Sequence, residues 1–370
     1  MIFPLLAAAA LMSITAQSAD APTVNAPIQL AQASTPTVDI DPNRAARSDA
    51  ATGFQNWLAG FRQKALDAGV SAETLDRELA GLTYNPRVVS LDRQQPVNRV
   101  TNTPILPGYL QRRLTATRID PGKRLVVELD DVLERAEAEY GVPGDIILGI
   151  WGMETNYGGY TGNFDALRSL ATLAFDGRRE ELFTRELIAA LQMIDEGQAR
   201  RQQMIGSWAG ALGNPQFLPT SYRNHAVDFD GNGKANIWGS YADTVGSIAA
   251  YLRAYGWTPG APWGTKVSLP SGFDRASVAR TEPAEECVRV YAKHSRMLPV
   301  SDWKAMGITA QGGKGFPSDD TLASLIEVDG PGTDAYLAYG NYRALLGYNC
   351  SNYYAISVGT LGDIVGASRP

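Results

Sequence analysis

Between Pro143 and Trp151 the chain reads Pro-Gly-Asp-Ile-Ile-Leu-Gly-Ile-Trp, an almost uninterrupted apolar helix. The next residues, Gly152-Met153-Glu154-Thr155-Asn156-Tyr157-Gly158, place a carboxyl group at its end. Proline and an acid stand where a helix begins, and glycines where this one is expected to stop. A helix without a polar face has to be enclosed by other elements. Glu154 is therefore expected in a poorly hydrated setting, which disfavours its charged form, raises its pKa and leaves a proton available near neutral pH for general acid chemistry. The alternative is an ordinary helix-end carboxylate satisfied by nearby amides, since perturbed acids also occur in structural networks.

With 370 residues, 44% hydrophobic and 19% charged, the chain can bury a sizeable core of two or more subdomains. A formal charge of -6 argues against a nucleic-acid partner, because phosphate binding needs a basic stripe and none is visible in the sequence. The run from Ile2 to about Ala16 is apolar but shorter than the roughly 20 residues that span a bilayer. With small residues near Ala19 and Ala21 it resembles a secretory signal lacking the usual leading positive charge. No cysteine stands directly after it, the first in the chain being Cys287, so the expectation is a soluble, exported, periplasmic protein without a lipid anchor. Cys287 and Cys350 are an even pair in a chain that reads as exported, which suggests one disulfide, with two buried thiols as the alternative.

Along the chain, 1–19 reads as signal and 20–51 as a flexible tether rich in Pro, Ala, Thr and Gln. Order is expected from about Phe54, where Phe54, Trp57, Leu58, Phe61 and Leu66 fall at helical spacing, and Ser71 can cap a second helix. Tyr84 to Pro107 reads as an extended surface arm. Leu125 to Tyr140 reads as one long amphipathic helix, with further helices over Phe164 to Phe175, Arg179 to about Gly197, and Tyr241 to Tyr255. A hairpin is expected to join Leu325–Val328 to Tyr336–Tyr339 across Gly330-Pro331-Gly332. The resulting division is a helical arm over 52–120, a catalytic core over 121–262, and a small α/β subdomain over 263–370 that completes the cleft. The fold class is mainly α, of the α+β kind.

Asp228-Phe229-Asp230-Gly231-Asn232-Gly233-Lys234 has the spacing of an EF-hand calcium loop, with glycine at the sixth position and Lys234 at the seventh. The bidentate acid expected at the twelfth position is replaced by Gly239, and Asp243 is the nearest substitute. A calcium site of weak affinity is expected, with a metal-free Asx-turn loop as the alternative. Sugar rings offer apolar faces to aromatic rings while their hydroxyls need amide and phenol partners. Tyr157, Trp208, Gln216, Tyr251, Tyr348, Asn349 and Tyr354 are candidates for such a cleft, each on its own more readily a core residue than a ligand contact.

Tyr140-Gly141-Val142-Pro143 through the Glu154 motif, then Gly206-Ser207-Trp208-Ala209-Gly210-Ala211 with Gln216-Phe217-Leu218-Pro219-Thr220-Ser221-Tyr222, then Asp228 to Trp238, carry a family resemblance. Together, and in this order, they look like the lytic murein transglycosylases of the membrane-bound B type, over about Phe54 to Gly366. The resemblance implies a fold similar to goose-type lysozyme, with an α-rich catalytic core, an EF-hand-like loop and a smaller α/β piece. It further implies that Glu154 is the sole catalytic acid/base, with glycan contacts at Tyr109, Ser207, Gln216, Tyr251, Tyr348, Asn349 and Tyr354. The lipid-attachment cysteine of membrane-bound members is absent, and one residue is inserted between Trp238 and Asp243.

A glycoside hydrolase of the usual kind needs two carboxylates. Asp165 and Asp176 are the nearest candidates and read more simply as surface or capping residues. A single acid fits intramolecular chemistry: cleavage of the bond between N-acetylmuramic acid and N-acetylglucosamine in peptidoglycan, with formation of 1,6-anhydromuramyl ends. The rivals are a muramidase that adds water and a non-catalytic, calcium-stiffened peptidoglycan-binding protein. His225 and His294 lack ligand spacing, so no catalytic metal or other catalytic cofactor is expected. The partners expected are glycan strands and other cell-wall enzymes.

Overall fold

A computed structural model describes residues 44–94, 105–313 and 315–369. Its centre is the helix Gly144–Thr155, on which every residue but Asp145 is buried. Two glycines let its main partner approach. A Cβ at Gly149 would lie 2.6 Å from the Val358 carbonyl oxygen, and one at Gly362 would lie 2.9 Å from that of Asp145. The C-terminal helix Asn352–Gly366 therefore packs backbone against backbone on the acid-bearing helix. The helix Tyr241–Ala254 and the helices on either side of Leu129 close the same core around Leu133, Ile147, Trp151, Ile248 and Ile356. A second core forms where Phe54, Phe61 and Leu75 of the first helices meet Leu170, Phe183, Leu191 and Phe217. Tyr251 belongs to this second core while its helix also lines the first, so the two cores share a wall.

The sheet is antiparallel and five-stranded, in the order Leu298–Pro299, Leu322–Glu327, Ala335–Ala338, Gly264–Ser268, Thr309–Ala310. Leu325 pairs with Leu337 and Ile326 with Tyr336, the expected hairpin. One face covers Trp303, Val300 and Tyr339, and Ile326 and Tyr336 look the other way into the first core. His294 Nδ1 and Nε2 bond Ser324 Oγ at 3.0 Å and Asn352 Oδ1 at 2.9 Å, so this histidine ties sheet to C-terminal helix.

Four expectations need correction. The long helix over 125–140 is two, Ala116–Glu128 and Asp130–Tyr140, because Leu129 leaves helical geometry and Asp130 and Asp131 suit the positive end of a new helix. The extended arm contains the helix Pro86–Arg93 and leads into Leu106–Arg113, each with a proline in its first turn, where a missing N–H costs nothing. The first helix among the described residues, Arg44–Asp67, starts within the expected tether and ahead of Phe54. The acid-bearing helix is stopped by Asn156 in left-handed conformation, not by glycine, while Gly152 lies within it against the Tyr157 ring. The signal segment, most of the tether and 95–104 lie outside the described residues.

Cys287 and Cys350 are disulfide-bonded across 63 positions of sequence. The bridge fastens the segment before Val288–Tyr291 to the turn between Gly340–Tyr348 and Asn352–Gly366. On a chain-entropy basis, closing a loop of this length stabilises by roughly 4 kcal/mol. Urea unfolding of a Cys287→Ser/Cys350→Ser variant should show a loss of that order against the oxidised protein, and two free thiols in the unreduced, denatured wild type would contradict the bridge.

Candidate active site

Glu154 occupies the last turn of the apolar helix and is 9% exposed. The turn after it is built from Asn156 and Tyr157, both at positive φ, followed by Gly158. Thr155 Oγ1 donates to the Asn214 carbonyl at 2.9 Å and accepts from Gly158 N at 3.0 Å. Asn214 in turn donates from its backbone to Ile237 O at 2.9 Å and from Nδ2 to Thr244 Oγ1 at 3.1 Å. The glycine-punctuated segment 206–217 thus lies directly on the turn that follows the acid. Its fit requires small residues, since a Cβ at Gly158 would meet Asn214 Oδ1 at 2.6 Å and one at Gly162 would overlap Gly206 O.

Burial raises the Glu154 pKa from 4.5 to about 7; the nearby Tyr354 hydroxyl and the charge of Arg113 act weakly in the other direction. Tyr354 Oη faces the carboxyl without a hydrogen bond of good geometry and is otherwise unpartnered. Tyr251, Tyr348 and Tyr354 are all held far above the ordinary phenol range by burial first, followed by the charge of Glu154 for Tyr348 and Tyr354 and by Tyr255 for Tyr251. They form one aromatic wall: Tyr251 and Tyr348 centroids are 4.7 Å apart, and Tyr348 and Tyr354 are stacked at 6.4 Å. Tyr348 Oη donates to Pro215 O at 2.6 Å and Tyr251 Oη to Gly347 O at 2.9 Å. Asn349, next in sequence to Tyr348, keeps a buried Oδ1 without a partner.

The other expected contacts are placed differently. Ser207 Oγ accepts from Ala209 N and Ala211 N, so it shapes its own loop. Gln216, at φ 52°, spends Nε2 on Thr161 O at 3.1 Å and Gly213 O at 3.0 Å, joining that loop to the segment after Glu154. Tyr109 lies on Leu106–Arg113, its ring 5.5 Å from Tyr353 and beneath Arg113. Trp208 and Tyr157 are buried core residues. Asp165 caps the helix Ala166–Asp176 and pairs with Arg201, while Asp176 pairs with Arg93 at 2.7 Å. Neither is among the groups that shift Glu154, and among the described residues no other carboxylate is. His225 packs against Tyr251 and Tyr255 and belongs to no cluster of metal-binding side chains among the described residues.

Arg113 and Arg118 were not singled out by sequence. Arg118 Nε donates to Gly152 O at 2.8 Å and Nη1 to Arg113 O, joining the end of Leu106–Arg113 to the last turn before Glu154. Helical periodicity carries no sign of this, since the contact is made across the chain.

In the EF-hand-like loop, carboxylate oxygens of Asp228, Asp230 and Asp243 lie within 4.8 Å of one another. Asp228 accepts from Asn232 N and Gly233 N, and Asn232 Oδ1 accepts from Lys234 N. Asp243 is fully buried, with Oδ1 taking Phe229 N and Asp230 N and Oδ2 taking Asn236 N. Converging carboxylates, none of them ion-paired among the described residues, form an all-oxygen donor set that fits a hard divalent cation.

The transglycosylase SLT domain family matches residues 53–363. Membrane-bound lytic murein transglycosylase B of Escherichia coli is 34% identical over 291 residues, 75% of this chain and 73% of that protein. Among solved structures, SltB3 from Pseudomonas aeruginosa, in complex with NAG-anhNAM-pentapeptide, is 41% identical with a TM-score of 0.74, covering 84% of this chain and 78% of that one. The Escherichia coli lytic transglycosylase Slt35, solved in complex with calcium, is 30% identical with a TM-score of 0.68, covering 86% and 94%. The chain therefore belongs to the SLT-domain transglycosylase family, as a peptidoglycan-cleaving lytic transglycosylase of the B type.

Proposed function

We propose that Glu154 is the sole acid/base of this enzyme. The carboxyl protonates the oxygen between N-acetylmuramic acid and N-acetylglucosamine as that bond breaks. The resulting carboxylate then takes the proton of the muramyl 6-hydroxyl, whose oxygen closes on C1 to give a 1,6-anhydromuramyl end. One proton is borrowed and returned, and no water is consumed. The observation that carries the reading is a nearly buried carboxyl with a pKa of about 7 on which, among the described residues, no second carboxylate acts. A hydrolase would need a partner acid to activate water. Tyr251, Tyr348 and Tyr354 offer ring faces to the sugars, and the unpartnered Asn349 Oδ1 and Tyr354 Oη offer polar contacts for their acetamido and hydroxyl groups. Tyr109, Ser207 and Gln216 complete the glycan site, the last two by holding the loop that covers it.

The substrate places the enzyme in the periplasm, on glycan strands; no described helix is long and apolar enough to cross a membrane. The loop Asp228, Asp230, Asn232, Lys234 with Asp243 would hold calcium. Its role would be structural, since Asn214 connects Ile237, just beyond the loop, to Thr155 beside the acid.

Glu154→Gln keeps size and hydrogen bonding but carries no transferable proton, so release of anhydro-muropeptides from sacculi should fall by at least about 10²-fold with the fold retained. For wild type, kcat should decline above pH 7 as the acid loses its proton, and product oxygen should remain unlabelled in H₂¹⁸O. The same carboxyl sets a stability slope. Its folded pKa exceeds its unfolded value, so the stabilisation is present below pH 4.5 and lost as pH rises through about 7. That loss is roughly 3 kcal/mol. Chemical denaturation should therefore find Glu154→Gln more stable than wild type at pH 8 by up to that amount, and not at pH 4. Millimolar calcium should raise the wild-type melting temperature, and Asp243→Asn should abolish the response; with a Kd on the order of 10⁻⁴ M, a 100-fold excess of calcium would stabilise by about 2.7 kcal/mol.

A further inference from the structure

The turn Tyr348-Asn349-Cys350-Ser351 joins Gly340–Tyr348 to Asn352–Gly366 and carries two residues of the glycan site. Its own bonds are few. Asn349 N donates to Leu345 O at 3.1 Å, Ser351 N donates to Asn349 O at 2.7 Å, and Ser351 Oγ accepts from Tyr354 N. Backing comes from a distant stretch of sequence, Cys287 to His294. Cys350 is covalently joined to Cys287. Asn352, two residues on, donates from Nδ2 to Val290 O at 3.3 Å, and its Oδ1 meets His294 Nε2 at 2.9 Å. Tyr291 packs on His294 at 5.0 Å and lies beneath the guanidinium of Arg343, from Gly340–Tyr348, at 5.9 Å. One short segment therefore clamps positions 350 and 352, with Asn349 just before them and Tyr354 just after.

The two halves of the clamp differ. Asn352 and His294 are buried, whereas both cysteines are only half-buried and Glu285, Glu286, Val288 and Arg289 around Cys287 are exposed. A reductant can reach the bridge without unfolding the core. Cys287 is also left-handed, at φ 49°, a conformation that a residue with a Cβ keeps only while its surroundings hold it. Cutting the bridge frees this end of the clamp and removes the covalent support beside Asn349, whose buried Oδ1 is unpartnered and depends on exact placement to meet a ligand. We propose that the Cys287–Cys350 bridge is a redox latch on the glycan site: oxidised, it holds Tyr348 and Asn349 at the cleft, and reduction by a dithiol lowers the affinity for glycan. In the exchange, a thiolate of the reductant attacks Cys287 Sγ, the protein S–S bond breaks, and Cys350 leaves as a thiolate that takes up a proton. The second thiol of the reductant then attacks the mixed disulfide, closing the reductant's own disulfide and freeing Cys287. Two electrons and two protons pass from the dithiol to the protein. The inference rests on the glycan contacts assigned above to Tyr348 and Asn349.

The test measures kcat and KM for release of anhydro ends from soluble glycan strands by oxidised wild type, by the same protein reduced with dithiothreitol, and by the reduced protein reoxidised. Losing a hydrogen bond from a buried group should raise KM at least about fivefold on reduction, with kcat changed less than about twofold, and reoxidation should restore it. Cys287→Ser/Cys350→Ser should match the reduced protein and be unaffected by dithiothreitol. A fall in kcat at unchanged KM, which a merely structural bridge would give by unfolding some of the molecules, would overturn the inference, as would a KM that does not move. Asn349→Ala separates the latch from the contact on which it rests. In the oxidised protein this substitution should raise KM by itself, and reduction should then add little. An oxidised Asn349→Ala with wild-type KM would remove the contact and the latch together. If the contact stands and reduction still raises KM in full, only the latch falls.

Discussion

The close contact between Gly144–Thr155 and Asn352–Gly366 is what the rest of the molecule depends on. Gly149 and Gly362 let two backbones meet where any side chain would force them apart. That contact excludes water from a helix with no polar face, and the same exclusion raises the pKa of Glu154. The first turn of the partner helix supplies Tyr354, and the turn before it supplies Tyr348 and Asn349. One packing interaction therefore both desolvates the acid and builds the wall opposite it.

The site is held from the other side by a chain of polar contacts. Thr155 grips Asn214, and Asn214 grips both Ile237 and Thr244. Asp243, inside the next helix, gathers three amides of the EF-hand-like loop. Order in that loop and the orientation of the residue beside the acid are thus mechanically joined, although the loop contributes no group to the reaction. Each link is buried or partly buried, where an unmade hydrogen bond costs more than at the surface.

Local signals were legible wherever a residue's own neighbours in sequence determine its structure. The hairpin Leu322–Glu327 with Ala335–Ala338, the cap at Ser71 and the helix Tyr241–Ala254 arise from alternation, capping chemistry and periodicity. The break at Leu129 was not legible, because apolar spacing runs through it and only the acidic pair after it marks a new helix start. Pro86 and Pro107 read as breakers when they are first-turn residues, a distinction set by whether the next residues go on to form a helix. Near Glu154, aromatic composition drew attention to Tyr251, Tyr348 and Tyr354, which pack as one wall, whereas nothing in the sequence marked that Ser207 Oγ and Gln216 Nε2 bond backbone of their own loop and its neighbour.

The sequence alone determined that an apolar helix had to be buried, that a carboxyl rode at its end, and that an acidic loop could gather a cation. All three are consequences of hydrophobicity and spacing within a few residues. Only tertiary structure decided which groups surround that carboxyl. Arg113 and Tyr354 come to it through contacts between elements 40 to 200 positions apart, made by packing that no local pattern encodes.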